Sequence, residues 1–258
     1  MTNVSAPAGA NKCMLITGGS RGIGAATARM AARAGYRVAI NYMNSVGAAL
    51  GLAEEIVAAG GEAQAFQADV GRQDQVGRLF EQVDSAFGAV DVLVNNAGVL
   101  TSCRVDRTEE PQLLDVFRTN VFSAFFCSHE AIRRMSTMHG GRGGAIINVS
   151  SVAARLGGQS GGAQYAASKG AIDSFTNALS KEVGAEGIRV NGVRPGLIVT
   201  DIHNFHQDAG PDGIARRAST VPLRRAGQPD EVAEVILWLA SDAASYVHGA
   251  IVDVSGGR

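Results

Sequence analysis

Thr17-Gly18-Gly19-Ser20-Arg21-Gly22-Ile23-Gly24 follows a short apolar run, Cys13–Thr17, and opens a stretch, Gly22–Ala34, whose apolar residues recur at helical spacing. A buried strand, a glycine turn and a helix form the first half of a βαβ unit. Glycine lets the backbone turn sharply and come close to a phosphate. The free amides and positive dipole end of the following helix face the same point. The rhythm then repeats. Strand-length apolar runs recur at Arg37–Asn41, Ala63–Gln67, Val90–Val94, Ala145–Val149, Arg189–Val193 and Ala250–Val254. Helical stretches lie between them at Val46–Gly60, Asp74–Phe87, Pro111–Met138, Gln164–Ala185 and Pro229–Ser241, and Gly35, Gly60, Gly88 and Gly187 close elements. Alternation at this spacing buries a parallel sheet between two helical layers. The expected fold is therefore α/β: a single-domain, Rossmann-like, doubly wound sheet of about seven parallel strands with helices on both faces. It spans residues 12–258 after a flexible tail, residues 1–11. Residues 200–228, rich in Arg, His, Asp and Gly, break the rhythm. They are expected to form a mobile substrate segment over the carboxyl edge of the sheet, where ligands of such folds bind.

Composition narrows the partners. The 258 residues include 33 glycines but only 6 prolines, too few for a low-complexity or collagen-like chain. With 23 basic against 24 acidic residues the net charge is −1, and no Lys/Arg run exceeds two. Neither nucleic acid nor an anionic membrane finds an electrostatic footprint, which leaves a small molecule as the expected partner. Cys13, Cys103 and Cys127 are odd in number and lack CxxC spacing. Reduced thiols and a cytoplasmic location are expected. The five histidines, His129, His139, His203, His206 and His248, form no HExxH pattern, so no metal is expected.

Among only three lysines and four tyrosines, Tyr165 and Lys169 stand four apart on an expected helix, on one face and within reach of one another. A phenol with a pKa of about 10 exchanges protons efficiently only when brought toward about 7, a shift of roughly 4 kcal/mol that a buried ammonium can help supply. Asn95-Asn96-Ala97-Gly98 follows the fourth strand, Ser150-Ser151 ends the fifth, and Arg194-Pro195-Gly196-Leu197-Ile198-Val199-Thr200 follows the sixth. Together with the glycine turn, these motifs resemble the short-chain dehydrogenase/reductase family in its single-domain form. The likeness runs from Lys12 to Arg258. Within the family the chain looks most like the branch holding 3-oxoacyl-ACP reductases and bacterial glucose 1-dehydrogenases.

The resemblance implies roles, residue by residue. Tyr165 would be the proton donor, Lys169 would lower its pKa and hold the nicotinamide ribose, and Ser151, chosen over Ser150, would hydrogen-bond the substrate oxygen. Asn120, in Thr119-Asn120-Val121, would kink its helix and anchor a water for proton relay to Lys169. Gly18, Ser20, Arg21, Gly22, Ile23 and Gly24 would hold the cofactor phosphates, with Asn96, Ala97 and Gly98 close by. Asp69 and Val70 match the adenine edge, with Asp69 as a cap of the following helix the competing explanation. Pro195, Gly196, Ile198 and Thr200 would orient the nicotinamide. The interval of fourteen residues from Ser151 to Tyr165 is one longer than in most relatives, and the Arg155–Gly162 loop is expected to absorb the extra residue.

The second strand ends in Asn41-Tyr42 rather than in the acidic residue that accepts hydrogen bonds from the ribose of NAD. A neutral Asn41 tolerates a 2′-phosphate, and Arg21 could donate to it, so NADP(H) is favoured. No second basic residue follows, since Met43, Asn44 and Ser45 come next, and NAD(H) use stays open. The expected activity is an NADP(H)-dependent oxidoreductase passing a hydride between nicotinamide and a carbonyl or secondary alcohol of 3-oxoacyl, keto or sugar type. The competing reading is a catalytically silent NAD(P)-binding sensor or scaffold of the same fold. Arg133, Arg134 and Lys181 could form a basic patch for an acyl carrier protein. Helices that are apolar beyond one face, as in relatives, point to a homotetramer.

Overall fold

A computed structural model describes residues 9, 11–200 and 211–258. Its centre is a sheet of seven parallel strands in the order β3-β2-β1-β4-β5-β6-β7. They are β1 (Cys13–Ile16), β2 (Arg37–Tyr42), β3 (Glu62–Gln67), β4 (Val90–Asn95), β5 (Gly144–Val149), β6 (Ile188–Pro195) and β7 (Ile251–Val254). The strand order reverses between β1 and β4, which opens a crevice at the carboxyl edge of the sheet.

Alternation along β1 shows how the sheet is buried on both faces. Met14 and Ile16 pack with α1 (Gly22–Arg33), α2 (Val46–Ala58) and α9 (Pro229–Ala240), while Cys13 and Leu15 face α3 (Gln73–Phe87), α5 (Ser123–Met135) and α7 (Ala163–Val183). Helix α9 is held at both ends. Gln228 and Glu231 form a reciprocal capping box at its start, and the Arg189 guanidinium donates to the carbonyls of Leu239 (2.7 Å), Ala240 and Ser241 at its end.

One expectation needs correction, and two others meet the described residues only in part. The helix expected over Pro111–Met138 is broken: α4 (Glu110–Phe117) runs into a five-residue π turn, Arg118–Phe122, before α5, and Met138 lies in a separate 3₁₀ turn. The apolar spacing continues through the break, but long-range bonds to Asn120 hold the wider turn. The segment 200–228 contains α8 (Pro211–Ala218) and a short pairing of Ile198 with Gly227, while its residues 201–210, with His203 and His206, lie outside the described residues. Residues 1–8 and 10 of the expected tail lie outside them too. Gly9, however, is buried, donates to Ala34 O (2.9 Å) and packs so closely on the Tyr36 ring that a Cβ would fall 2.3 Å from it. One short helix, α6 (Ala153–Leu156), has no counterpart in the sequence expectation.

Candidate active site

The crevice at the carboxyl edge is a cleft of about 580 Å³ that runs from the glycine turn past Tyr165. Its floor is organised by Thr17. This buried hydroxyl accepts hydrogen bonds from the amides of Asn96 and Ala97 (both 3.0 Å) and donates to Val94 O (3.3 Å). Asn96 reaches back, donating to the carbonyls of Thr17 (2.9 Å) and Gly18 (3.0 Å), so the Asn95–Gly98 segment and the glycine turn are clipped together.

The turn fits a dinucleotide pyrophosphate. Gly18 and Gly22 have φ of +59° and +53°, and a Cβ on Gly18 would stand 3.0 Å from Ala97 Cα. Helix α1 starts with no side-chain cap and no acidic residue in its first turn, which leaves its amides open to an anion. Ser20, exposed Arg21, Gly22 and Ile23 line the cleft beside it. Gly24 does not; a Cβ there would strike Asn96 Nδ2 and Gly18 O at 2.6 Å, so its part is close packing of the helix on the turn.

At the other end of the first βαβ unit, Asn41 departs from expectation. Although it borders the cleft, it is 1% exposed, and its side chain accepts from Gly18 N (3.2 Å) and donates to Ala68 O (3.1 Å). It ties three strand ends together. The strand runs one residue further, to Tyr42, and Tyr42, Met43, Asn44 and Ser45 line the cleft beside it. Ser45 precedes α2 without capping it. Asp69 and Val70 line the cleft as well; Asp69 Oδ1 accepts from Gly71 N (2.9 Å) and does not cap α3, which starts at Gln73.

The reacting end is built by β5 and α7. Tyr165, Lys169, Ser150 and Ser151 all line the cleft. Ser150 Oγ is committed to Lys169 O (3.1 Å), whereas Ser151 Oγ accepts from Ala153 N (3.1 Å). Lys169 Nζ donates to Val149 O (2.8 Å) and lies 5.9 Å from the centre of the Tyr165 ring. Burial strips water from the ammonium and brings its pKa down to about 8, with Asp173 opposing. Burial pushes the Tyr165 phenol up, and the nearby Ser151 hydroxyl opposes that.

Asn120 sits in the π turn, 2% exposed, and does not line the cleft. Its Oδ1 accepts from Val99 N (2.7 Å), and its Nδ2 donates to Val99 O (3.0 Å) and Ser168 Oγ (3.0 Å). Ser168 in turn donates to Tyr165 O (2.7 Å). The side chain expected to anchor a water is thus engaged in joining the segment after β4, the π turn and α7. Pro195, Gly196, Ile198 and Thr200 line the opposite wall, and Gly196 also admits Ser255, whose Cα would be 2.7 Å from a Cβ there. Leu156, Gln159, Ser160, Arg217 and Arg258 complete the cleft without having given a sequence signal.

A parallel doubly wound sheet, an anion-receptive glycine turn at its switch point and a Tyr/Lys pair beside a serine define a nicotinamide-nucleotide-dependent oxidoreductase. Comparison with known proteins agrees. A family model described as enoyl-(acyl carrier protein) reductase matches residues 18–258. The chain is 48% identical over 245 residues to the uncharacterized oxidoreductase YgfF of Escherichia coli, covering 95% of this chain and 98% of that one. It is 40% identical to the 3-oxoacyl-[acyl-carrier-protein] reductase FabG of Staphylococcus aureus, over 95% and 97% of the two chains. A short-chain dehydrogenase/reductase of Serratia marcescens, solved as a double mutant, superposes with a TM-score of 0.88 at 34% identity, over 97% and 98% of the two chains. A blue fluorescent protein from a metagenomic library, in complex with NADPH, gives 0.87 at 34% identity, over 96% and 98%. The chain belongs to the short-chain dehydrogenase/reductase family and is an NAD(P)-dependent oxidoreductase.

Proposed function

We propose that the protein is an NADP(H)-dependent reductase of small carbonyl compounds. The observation that carries this reading is the placement of Tyr165 and Ser151 in one cleft with the buried Lys169, whose Nζ lies 5.9 Å from the centre of the Tyr165 ring. When bound, the nicotinamide supplies the hydride that the carbonyl carbon accepts. Ser151 Oγ and the Tyr165 hydroxyl orient the carbonyl oxygen, and Tyr165 delivers the proton that oxygen needs as the C=O bond becomes C–OH. Lys169 favours the phenolate left behind and, with Thr200, holds the nicotinamide riboside end. Asn120 is a positioning residue, acting through Ser168 on the turn of α7 that carries Tyr165.

For the cofactor, no carboxylate ends β2, and Arg21 stands exposed at the rim beside Met43, Asn44 and Ser45. A 2′-phosphate meets a guanidinium and neutral groups there, and a structural relative at 34% identity is solved in complex with NADPH. NAD(H) fits the neutral wall too, without the Arg21 contact. A free small molecule is favoured over a carrier-bound one, because Arg134 is already paired with Asp84 and Glu130 (both 2.6 Å), which takes it out of the basic patch expected for an acyl carrier protein. Leu114, Phe122 and Phe125, exposed along α4, the π turn and α5, support a homotetramer. Three free cysteines support a cytoplasmic location, and no helix among the described residues is long and apolar enough to cross a membrane.

The test is turnover of NADPH and NADH against diketones, 3-oxoacyl thioesters and aldoses, the last in the oxidative direction. NADPH preferred by tenfold or more, with Arg21→Gln narrowing that ratio, is the expected result. Equal use of both cofactors, unchanged in Arg21→Gln, refutes the cofactor reading. Tight NADPH binding with no turnover favours the sensor reading.

A further inference from the structure

Behind Tyr165 and Lys169 runs a chain of alternating charges. Asp173 stands four residues after Lys169 on α7, one helical turn on and on the same face. Its side chain is 14% exposed. Oδ2 accepts from Arg194 Nε (2.9 Å) on β6, whereas Oδ1 is buried with no hydrogen-bond partner among the described residues. Arg194 also donates to Asp253 Oδ1 (3.2 Å) on β7, and Asp253 Oδ2 accepts from Arg155 Nη2 (3.2 Å) on α6. The sheet brings this chain up to the ammonium. Lys169 Nζ is held by Val149 O at the end of β5, and Val149 pairs with Val193, the residue before Arg194. The other elements around Nζ offer uncharged groups. The segment after β4 brings Gly98, where a Cβ would stand 3.4 Å both from Nζ and from the amide oxygen of Asn120 in the π turn. From its own helix the ammonium meets Tyr165 and the charge of Asp173.

A buried ammonium keeps its proton only if something offsets the hydration it has lost. Lys169 has one carbonyl for this, and Tyr165 gains from Lys169 only while Lys169 is charged. A carboxylate one turn away supplies the missing attraction, and its strength depends on how far its own charge is cancelled. Arg194 divides itself between Asp173 and Asp253, and one oxygen of Asp173 stays free of any donor among the described residues, so the cancellation is partial. We infer that Asp173 is a positioning residue whose charge, tempered by Arg194, keeps Lys169 an ammonium while Tyr165 gives up its proton. This inference rests on the reductase reading above and adds how the charge of its lysine is set. Asp173 does not line the cleft and acts through Lys169 alone.

The chain has three lysines, Lys12, Lys169 and Lys181, so protein labelled with ¹³C-lysine gives three ε-carbon titrations by NMR, and Lys169→Met identifies the relevant one. Its midpoint is followed in wild type, Asp173→Asn, Asp173→Glu, Arg194→Gln and the double variant Asp173→Asn/Arg194→Gln, alongside the pH dependence of kcat for carbonyl reduction by NADPH. Asp173→Asn removes an anion and leaves Arg194 without it, whereas Arg194→Gln leaves the anion uncancelled. The Lys169 midpoint and the basic limb of kcat should therefore move down by about half a pH unit or more in the first and up by a similar amount in the second. The double variant should fall between them, and Asp173→Glu should stay nearer wild type than Asp173→Asn. A purely structural role would lower the rate without opposed shifts. Midpoints that move in the same direction, or stay unmoved in both single variants, overturn the inference. Where one single variant does not fold, the other and the double variant still give the sign. Tyr165-dependent reduction with unmoved midpoints leaves the reductase reading standing and overturns this inference alone. Opposed midpoints in a protein that reduces no carbonyl remove the reductase reading and leave the charge assignment in place.

Discussion

Thr17→Val removes one oxygen and keeps the shape of the side chain, so its cost follows from the hydrogen bonds that oxygen makes. Asn96 N keeps a second acceptor, Val94 O at 3.0 Å, and is only partly deprived. Ala97 N has Thr17 Oγ1 as its acceptor at 3.0 Å and loses it, while the Thr17 hydroxyl bond to Val94 O, long at 3.3 Å, is a weak one. An orphaned, partly buried amide costs about 1–3 kcal/mol, and the weak bond adds about 0.5–1 kcal/mol, so a total near 3 kcal/mol is expected. For a chain of this size that corresponds to a fall in Tm of roughly 6–12 °C. The Gly18–Ala97 approach loosens with it, so NADPH affinity should fall as well. Thermal and urea unfolding of wild type, Thr17→Val and Thr17→Ser measure the effect, with the serine variant expected to stay close to wild type. A Thr17→Val protein melting within about 1 °C of wild type would refute the assignment of Thr17 as the organiser of the cleft floor.

Other consequences are equally open to measurement. Because burial lowers the folded-state pKa of Lys169 from 10.5 to about 8, the folded protein carries the cost of a buried charge below pH 8 and sheds it as pH rises. Relative to Lys169→Met, wild-type stability should therefore gain about 3 kcal/mol between pH 8 and 10.5. Urea titrations that stay parallel across that window would contradict it. Arg189→Gln uncaps the end of α9, where three carbonyls share one guanidinium, and should cost about 1–3 kcal/mol of stability. An unchanged urea midpoint would show that solvent or another group serves those carbonyls equally well.

The strands were legible to within a residue or two, because a sheet covered on both faces demands apolar runs that stand out against helical spacing. What went unread depended on contacts distant in sequence. The break at Arg118–Phe122 is held by Asn120 bonding to Val99 and Ser168, which no local period reveals. β2 runs one residue past Asn41, which borders the cleft while its side chain bonds Gly18 N and Ala68 O, partners distant in sequence that no local pattern reveals. Arg258 carried no motif; the place of its main chain at the cleft comes from Arg155 and from two glycines meeting residues 221–223. The Tyr165–Lys169 pair and Ser151 were legible because four residues on a helix, and a polar end to an apolar strand, are local patterns.

In the proposed mechanism Tyr165 transfers the proton to the carbonyl oxygen. Single-turnover oxidation of NADPH by wild type and Tyr165→Phe, on a carbonyl found in the substrate panel and with NADPH affinity titrated in parallel, tests it most directly. A loss of about 10²–10⁴ in rate with NADPH affinity retained is the predicted result. A Tyr165→Phe protein that turns over at the wild-type rate would contradict the mechanism.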